Sequence, residues 1–74
     1  MKVEVKIGLR IKQLREKVGM SQKDLSFAAN LDRSYIASVE SGKRNISIVN
    51  IEKIANALNV SVRQFFQDAK FDKH

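Results

Sequence analysis

The chain has 74 residues, with 14 lysines and arginines against 8 aspartates and glutamates and a formal net charge of +6. That length suits one domain burying roughly 60% of its unfolded surface, and with 43% hydrophobic residues and no proline or low-complexity linker, residues 1–74 read as one folded unit. There is no cysteine, the one histidine (His74) ends the chain, and no apolar run exceeds three residues, which excludes disulfides, thiolate chemistry, most histidine catalysis, a signal peptide and a membrane span.

The first helix is predicted over about residues 5–18, where Ile7, Ile11, Leu14 and Val18 recur at helical spacing. Its start is poorly marked. No capping residue precedes it, Val3, Val5 and Ile7 alternate with charges as a strand would, and Gly8 inside it costs about 1 kcal/mol. Gly19-Met20-Ser21, Asn30-Leu31-Asp32 and Asn59-Val60-Ser61 then repeat one signature: a residue that tolerates positive φ, an apolar residue, and a helix N-cap. They delimit helices at about 22–29, 33–41 (closed by Gly42) and 62–69, with a further helix at 48–58 behind Ser47. Met20 with Leu25, Leu31 with Ile36, Ile46 with Ile51 and Val60 with Phe65 have the spacing of hydrophobic staples. Ser21 with Asp24 and Ser61 with Gln64 have that of capping boxes. The expected fold is all-α, a compact five-helix bundle.

The second and third helices are too short to stand alone. Such a pair persists when other helices pack behind it, which leaves the second member free to present a polar face. Leu25, Ala28, Ala29, Leu31, Ile36 and Val39 supply the inward surface, and Arg33, Ser34, Tyr35 and Ser38 the outward one. A helix-turn-helix aims the N-terminal positions of its second helix at base edges in the major groove. Met20-Ser21-Gln22-Lys23-Asp24-Leu25, Leu31-Asp32-Arg33-Ser34-Tyr35-Ile36 and Val39-Glu40-Ser41-Gly42 resemble the phage-repressor (Cro/C1, or Xre) class of helix-turn-helix over about residues 5–67. Within that class, residues 31–36 and Arg44-Asn45-Ile46-Ser47 are similar to the controller proteins of bacterial restriction–modification systems. Asn30 stands where the class usually has glycine, and Ser26 where it has a small apolar residue.

Arg33 is the foremost candidate base contact, since its fork matches guanine O6 and N7; the alternative is a solvated arginine at a helix start. Ser34 suits a base edge or a phosphate. Tyr35 offers its ring to a thymine methyl and its hydroxyl to a phosphate, or is partly buried, and Ser38 lies one turn further along. Gln22 opens the second helix, where free N–H groups favour an anion, and the resemblance implies that it contacts a phosphate. Ser41, Lys43, Arg44 and Asn45 are expected along the DNA backbone, with the minor groove as an alternative for Arg44. The resemblance also implies that Arg15 pairs with Glu40 and braces helix 1 against helix 3. Some of the surplus charge, Lys2 and Lys73 for example, serves solubility alone. Phe65 and Phe66 are adjacent and so point about 100° apart on a helix. One of them, with Val62 or Ile48, is a candidate dimer contact, unless Phe71 helps to cover both within the protomer.

Two readings of different kinds follow. One is a homodimeric, sequence-specific DNA-binding transcription regulator whose recognition helices lie about 34–36 Å apart on a pseudo-palindromic operator. The other is a helical protein-interaction module whose basic surface is incidental. The resemblance to controller proteins implies a dimer with no sensor domain, cofactor, metal, small-molecule ligand or membrane partner. It implies action in the cytoplasm, at the nucleoid, as a bacterial or phage protein, on its own promoter and an endonuclease gene. Such proteins activate when bound beside the RNA polymerase site and repress when further dimers fill the adjacent site. A phage-type or orphan repressor has the same fold and contacts. For an enzyme there is neither a nucleophile–base pair nor a ligand cluster.

Overall fold

Short-range hydrogen bonding sets the helix ends in the computed structural model, which describes residues 1–72. Lys73 and His74 lie outside the described residues, and with them the solubility role given to the first and the histidine chemistry excluded on the second. Five α-helices follow in order: α1 (Val3–Lys17), α2 (Gln22–Ala29), α3 (Arg33–Glu40), α4 (Ile48–Ala57) and α5 (Val62–Phe65), then a 3₁₀ turn at Ala69–Phe71. Among the described residues there is no strand and no helix long and apolar enough to cross a membrane. The all-α architecture is the expected one.

Gly19, Asn30, Gly42 and Asn59 all adopt left-handed backbone, with φ from 55° to 76°. Each closes its helix with the paired bonds of a Schellman motif, at 2.9–3.2 Å: its own N–H donates to Glu16, Phe27, Val39 or Asn56, and the next N–H to Arg15, Ser26, Ser38 or Ala55. Ser21 and Ser61 head complete capping boxes with Asp24 and Gln64, and Ser47 Oγ accepts from the Asn50 N–H. Asp32 differs from expectation, because its side chain makes no capping bond and α3 starts without one.

The Ser21 backbone N–H and then its hydroxyl hold the Asp24 carboxyl below its ordinary value. A depressed folded-state value contributes stability above the ordinary aspartate range and loses it as pH falls through the folded value. Wild type is therefore expected to melt higher than Asp24→Ala at neutral pH, and the two thermal midpoints should converge on acidification.

Ile7, Ile11 and Leu14 of α1 meet Leu25, Ala29, Ile36, Val39, Ile51, Ile54, Ala55, Leu58 and Phe65 in one core. Each large side chain buried there contributes roughly 1.5–3 kcal/mol. The staple residues Met20, Leu31, Ile46 and Val60 pack against its edge. α1 and α2 both pack on α3, α2 also on α4, and α4 on α5. Two apolar residues expected inside are outside. Val18 is exposed because α1 has already ended at Lys17 and the chain turns at Gly19, and Ala28 lies on the solvent side of α2. Ser26 is buried without cost, since its hydroxyl donates to the Lys23 carbonyl at 2.7 Å.

Two features have partners distant in sequence. α1 begins at Val3 and runs straight through Gly8, which is buried where α1 crosses the end of α3. A Cβ there would lie 2.4 Å from the Val39 carbonyl oxygen and 2.7 Å from that of Glu40. α5 stops at Phe65 instead of about 69, and Arg10 binds the carbonyls at its C-terminal end. Its Nε donates to Phe65 O at 2.7 Å and its Nη2 to Gln64 O at 2.9 Å. Arg10 also pairs with Asp68 at 3.3 Å, and Asp68 with Lys70 at 2.7 Å. Arg10 is thus a clamp between α1 and the C-terminal segment.

Candidate nucleic-acid interface

Because α3 buries only Ile36, Val39 and Glu40, most of its remaining surface is open to solvent. Arg33 and Ser34 are exposed in its first turn, while Tyr35 in the same turn and Ser38 one turn on are half-buried. That turn contains no acidic residue, although the exposed Asp32 precedes it at the N-cap, so the positive end of the helix dipole and the Arg33 charge are only partly offset. Ser41, Lys43, Arg44 and Asn45 are exposed in the connection to α4. The Ser41 hydroxyl donates back to the Ser38 carbonyl at 2.8 Å.

Two clusters form among these residues. In the first, the Arg44 guanidinium lies over the Tyr35 ring, 4.9 Å from its centroid, and the Asn50 amide donates to the Tyr35 hydroxyl at 2.9 Å. Asn50 was not apparent in the sequence, since a polar residue early in an amphipathic helix carries no local signal of a partner. In the second, Arg15 Nε donates to Glu40 Oε2 at 2.7 Å and Nη2 to Oε1 at 3.0 Å, a bidentate geometry among the strongest available to an ion pair. The Gln22 amide joins at 3.1 Å to Glu40 Oε1, and Arg15 Nη1 donates to the Met20 carbonyl at 2.8 Å. The hydrogen bond to Glu40 holds the Arg15 guanidinium above its ordinary value, with burial opposing. A shallow cleft lined by Lys12, Gln22, Ala37 and Ser41 lies above this pair.

The residues nominated for a dimer contact divide. Phe65 is fully buried within the protomer and is withdrawn, because no part of its ring is left to meet a partner. Phe66 is half-buried, edge-on to both Phe65 and Phe71 with centroids 5.0 Å apart in each case. Val62 is half-buried. Ile48 is 63% exposed, and its neighbour Val49, which sequence reasoning had missed, is 60% exposed. Phe27 on α2 is exposed too, at 75%, in a groove that ends at Arg33.

Two short helices joined through a left-handed asparagine, braced from behind by α1 and presenting a polar second helix, define a helix-turn-helix module. Residues 11–65 match the helix-turn-helix family. The chain is 40% identical over 67 residues to control protein C.MunI of Mycoplasma sp, covering 89% of this chain and 90% of that protein. It superposes on the restriction–modification controller protein C.AhdI from Aeromonas hydrophila with a TM-score of 0.82 and 49% identity, over 85% of this chain and 96% of that one. It superposes on C.Esp1396I, solved as a tetramer with its natural 35 base-pair operator, with a TM-score of 0.86 and 39% identity, over 90% and 88% of the two chains. The chain belongs to the Xre/C1-type helix-turn-helix transcription regulators, and within them to the controller proteins of restriction–modification systems.

Proposed function

We propose that this chain works as a homodimer that recognises a pseudo-palindromic DNA operator, regulates transcription from its own promoter, and has no catalytic role. The observation that carries the reading is the exposed, acid-free first turn of α3 with Arg33 and Ser34, flanked by Lys43, Arg44 and Asn45. Arg33, Ser34, Tyr35 and Ser38 then face bases, while Gln22, Ser41, Lys43, Arg44 and Asn45 follow the backbone. Ile48, Val62 and Phe66 contribute to the dimer contact. Relatives solved on operator DNA support this, C.Esp1396I among them. The compartment proposed is the bacterial cytoplasm, at the nucleoid, residues 1–74 act as a single domain, and RNA polymerase is the further partner.

Gel-shift titration on the DNA upstream of its own gene, at several salt concentrations, tests the proposal. Lys43 and Arg44 on each of two protomers predict a slope of log affinity against log salt of about −4 or steeper. A flat response, or equal affinity for random DNA, would overturn the proposal, and the flat response alone would favour the protein-interaction module. Arg33→Ala should cost roughly 1–3 kcal/mol and relax preference at one base position, whereas Gln22→Ala should weaken all sequences alike. Equal losses on operator and random DNA would reassign Arg33 to a phosphate.

A further inference from the structure

Three segments converge on Tyr35. The ring belongs to the first turn of α3 and is half-buried. From α4, the Asn50 side chain donates to its hydroxyl oxygen at 2.9 Å, and from the connecting loop Arg44 lies over its face at 4.9 Å. Asn50 is itself held, because its backbone N–H donates to Ser47 Oγ at 3.1 Å in the cap of α4.

One side of the ring packs against the core, and the hydrogen bond at its tip fixes the orientation of the part that remains outside. A cation–π contact needs the ring face presented at one angle, so anchoring the hydroxyl also seats the guanidinium. With the phenol oxygen accepting from Asn50, its own hydrogen remains free to donate to another acceptor. The side chains of Tyr35 and Arg44, from two segments that would otherwise move separately, become one unit beside Arg33.

We propose that Asn50 is a positioning residue for base discrimination. Its hydrogen bond orients Tyr35, Tyr35 orients Arg44, and the recognition helix and the loop meet DNA in one fixed arrangement. This rests on the DNA-binding reading above, and it assigns specificity to a residue of α4 that acts only through Tyr35.

The experiment compares affinity for the upstream operator and for a random duplex of equal length, using the full chain as wild type, Asn50→Ala, Tyr35→Phe and the double variant. Asn50→Ala should narrow the operator-to-random ratio about 3- to 10-fold, the range that one neutral hydrogen bond provides. Affinity for random DNA, to which Arg44 contributes a phosphate contact, should fall by less than affinity for the operator. Tyr35→Phe keeps the ring and should narrow the ratio comparably, and the double variant should be no worse than the poorer single one. Tyr35 is the only tyrosine in a chain without tryptophan, so intrinsic fluorescence of the DNA-free protein reports on this ring alone and should change in Asn50→Ala. Equal weakening on both duplexes, or losses that multiply in the double variant, would overturn the proposal. Should Asn50→Ala fail to fold by circular dichroism, Tyr35→Phe alone decides, and an unaltered ratio overturns it. A wild type without preference for the operator overturns the DNA-binding reading itself, whereas preference retained in full by Asn50→Ala overturns only the positioning role.

Discussion

Gly8→Ala is expected to destabilise the protein by about 3 kcal/mol, lowering the thermal midpoint by roughly 12–24 °C for a domain of this size. Helix propensity alone predicts the opposite sign, a gain of about 1 kcal/mol, since alanine is the best residue for a helix interior and glycine among the worst. Geometry decides between them. The added Cβ would lie 2.4 Å from Val39 O and 2.7 Å from Glu40 O. Both are backbone atoms in the last turn of α3, so neither can rotate aside as a side chain would. Relief requires α1 and α3 to separate, and a gap between them forfeits packing around Ile7, Ile11 and Val39, all of which lie in the core. Thermal unfolding followed by circular dichroism measures the outcome, and a midpoint at or above that of wild type would show that the helices part cheaply.

The same glycine shows where sequence reasoning succeeds and where it stops. Helix ends are decided within five or six residues, by an asparagine or glycine that accepts left-handed backbone and a serine that caps the next helix. Asn30, Asn59, Ser21 and Ser61 could therefore be placed from their neighbours alone, and the polar face of α3 followed from its periodicity. Gly8 registered only as a flaw in a helix, because its reason lies on a helix more than thirty residues away. Arg10 carries no local sign of its role, since the Phe65 carbonyl to which it donates lies 55 residues away. The Phe65–Phe66 pair was half legible. Adjacent positions on a helix dictated that one ring face inward, but which one depended on the return of Phe71 after a turn that Arg10 and Asp68 shape. Asn50 had no local signal, since a hydrogen bond between α4 and α3 exists only once both are docked.

Removing Arg15 is the second large effect expected, and its interest lies in separating stability from binding. Glu40 keeps only 4% of its side chain exposed and accepts from Arg15 twice and from Gln22 once. Arg15→Met would leave that carboxylate buried with the glutamine amide as its sole remaining donor from this cluster. Breaking a buried pair in this way costs about 3–5 kcal/mol. The lower end applies here, because water can fill the overlying cleft between Lys12, Gln22, Ala37 and Ser41. Arg15→Met with Glu40→Leu removes both charges, and replacing a pair by apolar groups of similar size is often neutral. The double variant should therefore recover most of the lost stability in urea unfolding. Binding should not recover with it. Gln22 donates to Glu40 Oε1 at 3.1 Å, and without that acceptor its amide swings free at the start of α2. If Gln22 makes the phosphate contact proposed for it, freeing its amide should lower affinity on operator and random DNA alike. A stable double variant that binds as tightly as wild type would make the ion pair a scaffold for α1 and α3 and nothing more. One that is stable but uniformly weak on DNA would make the same carboxylate the anchor of the phosphate contact.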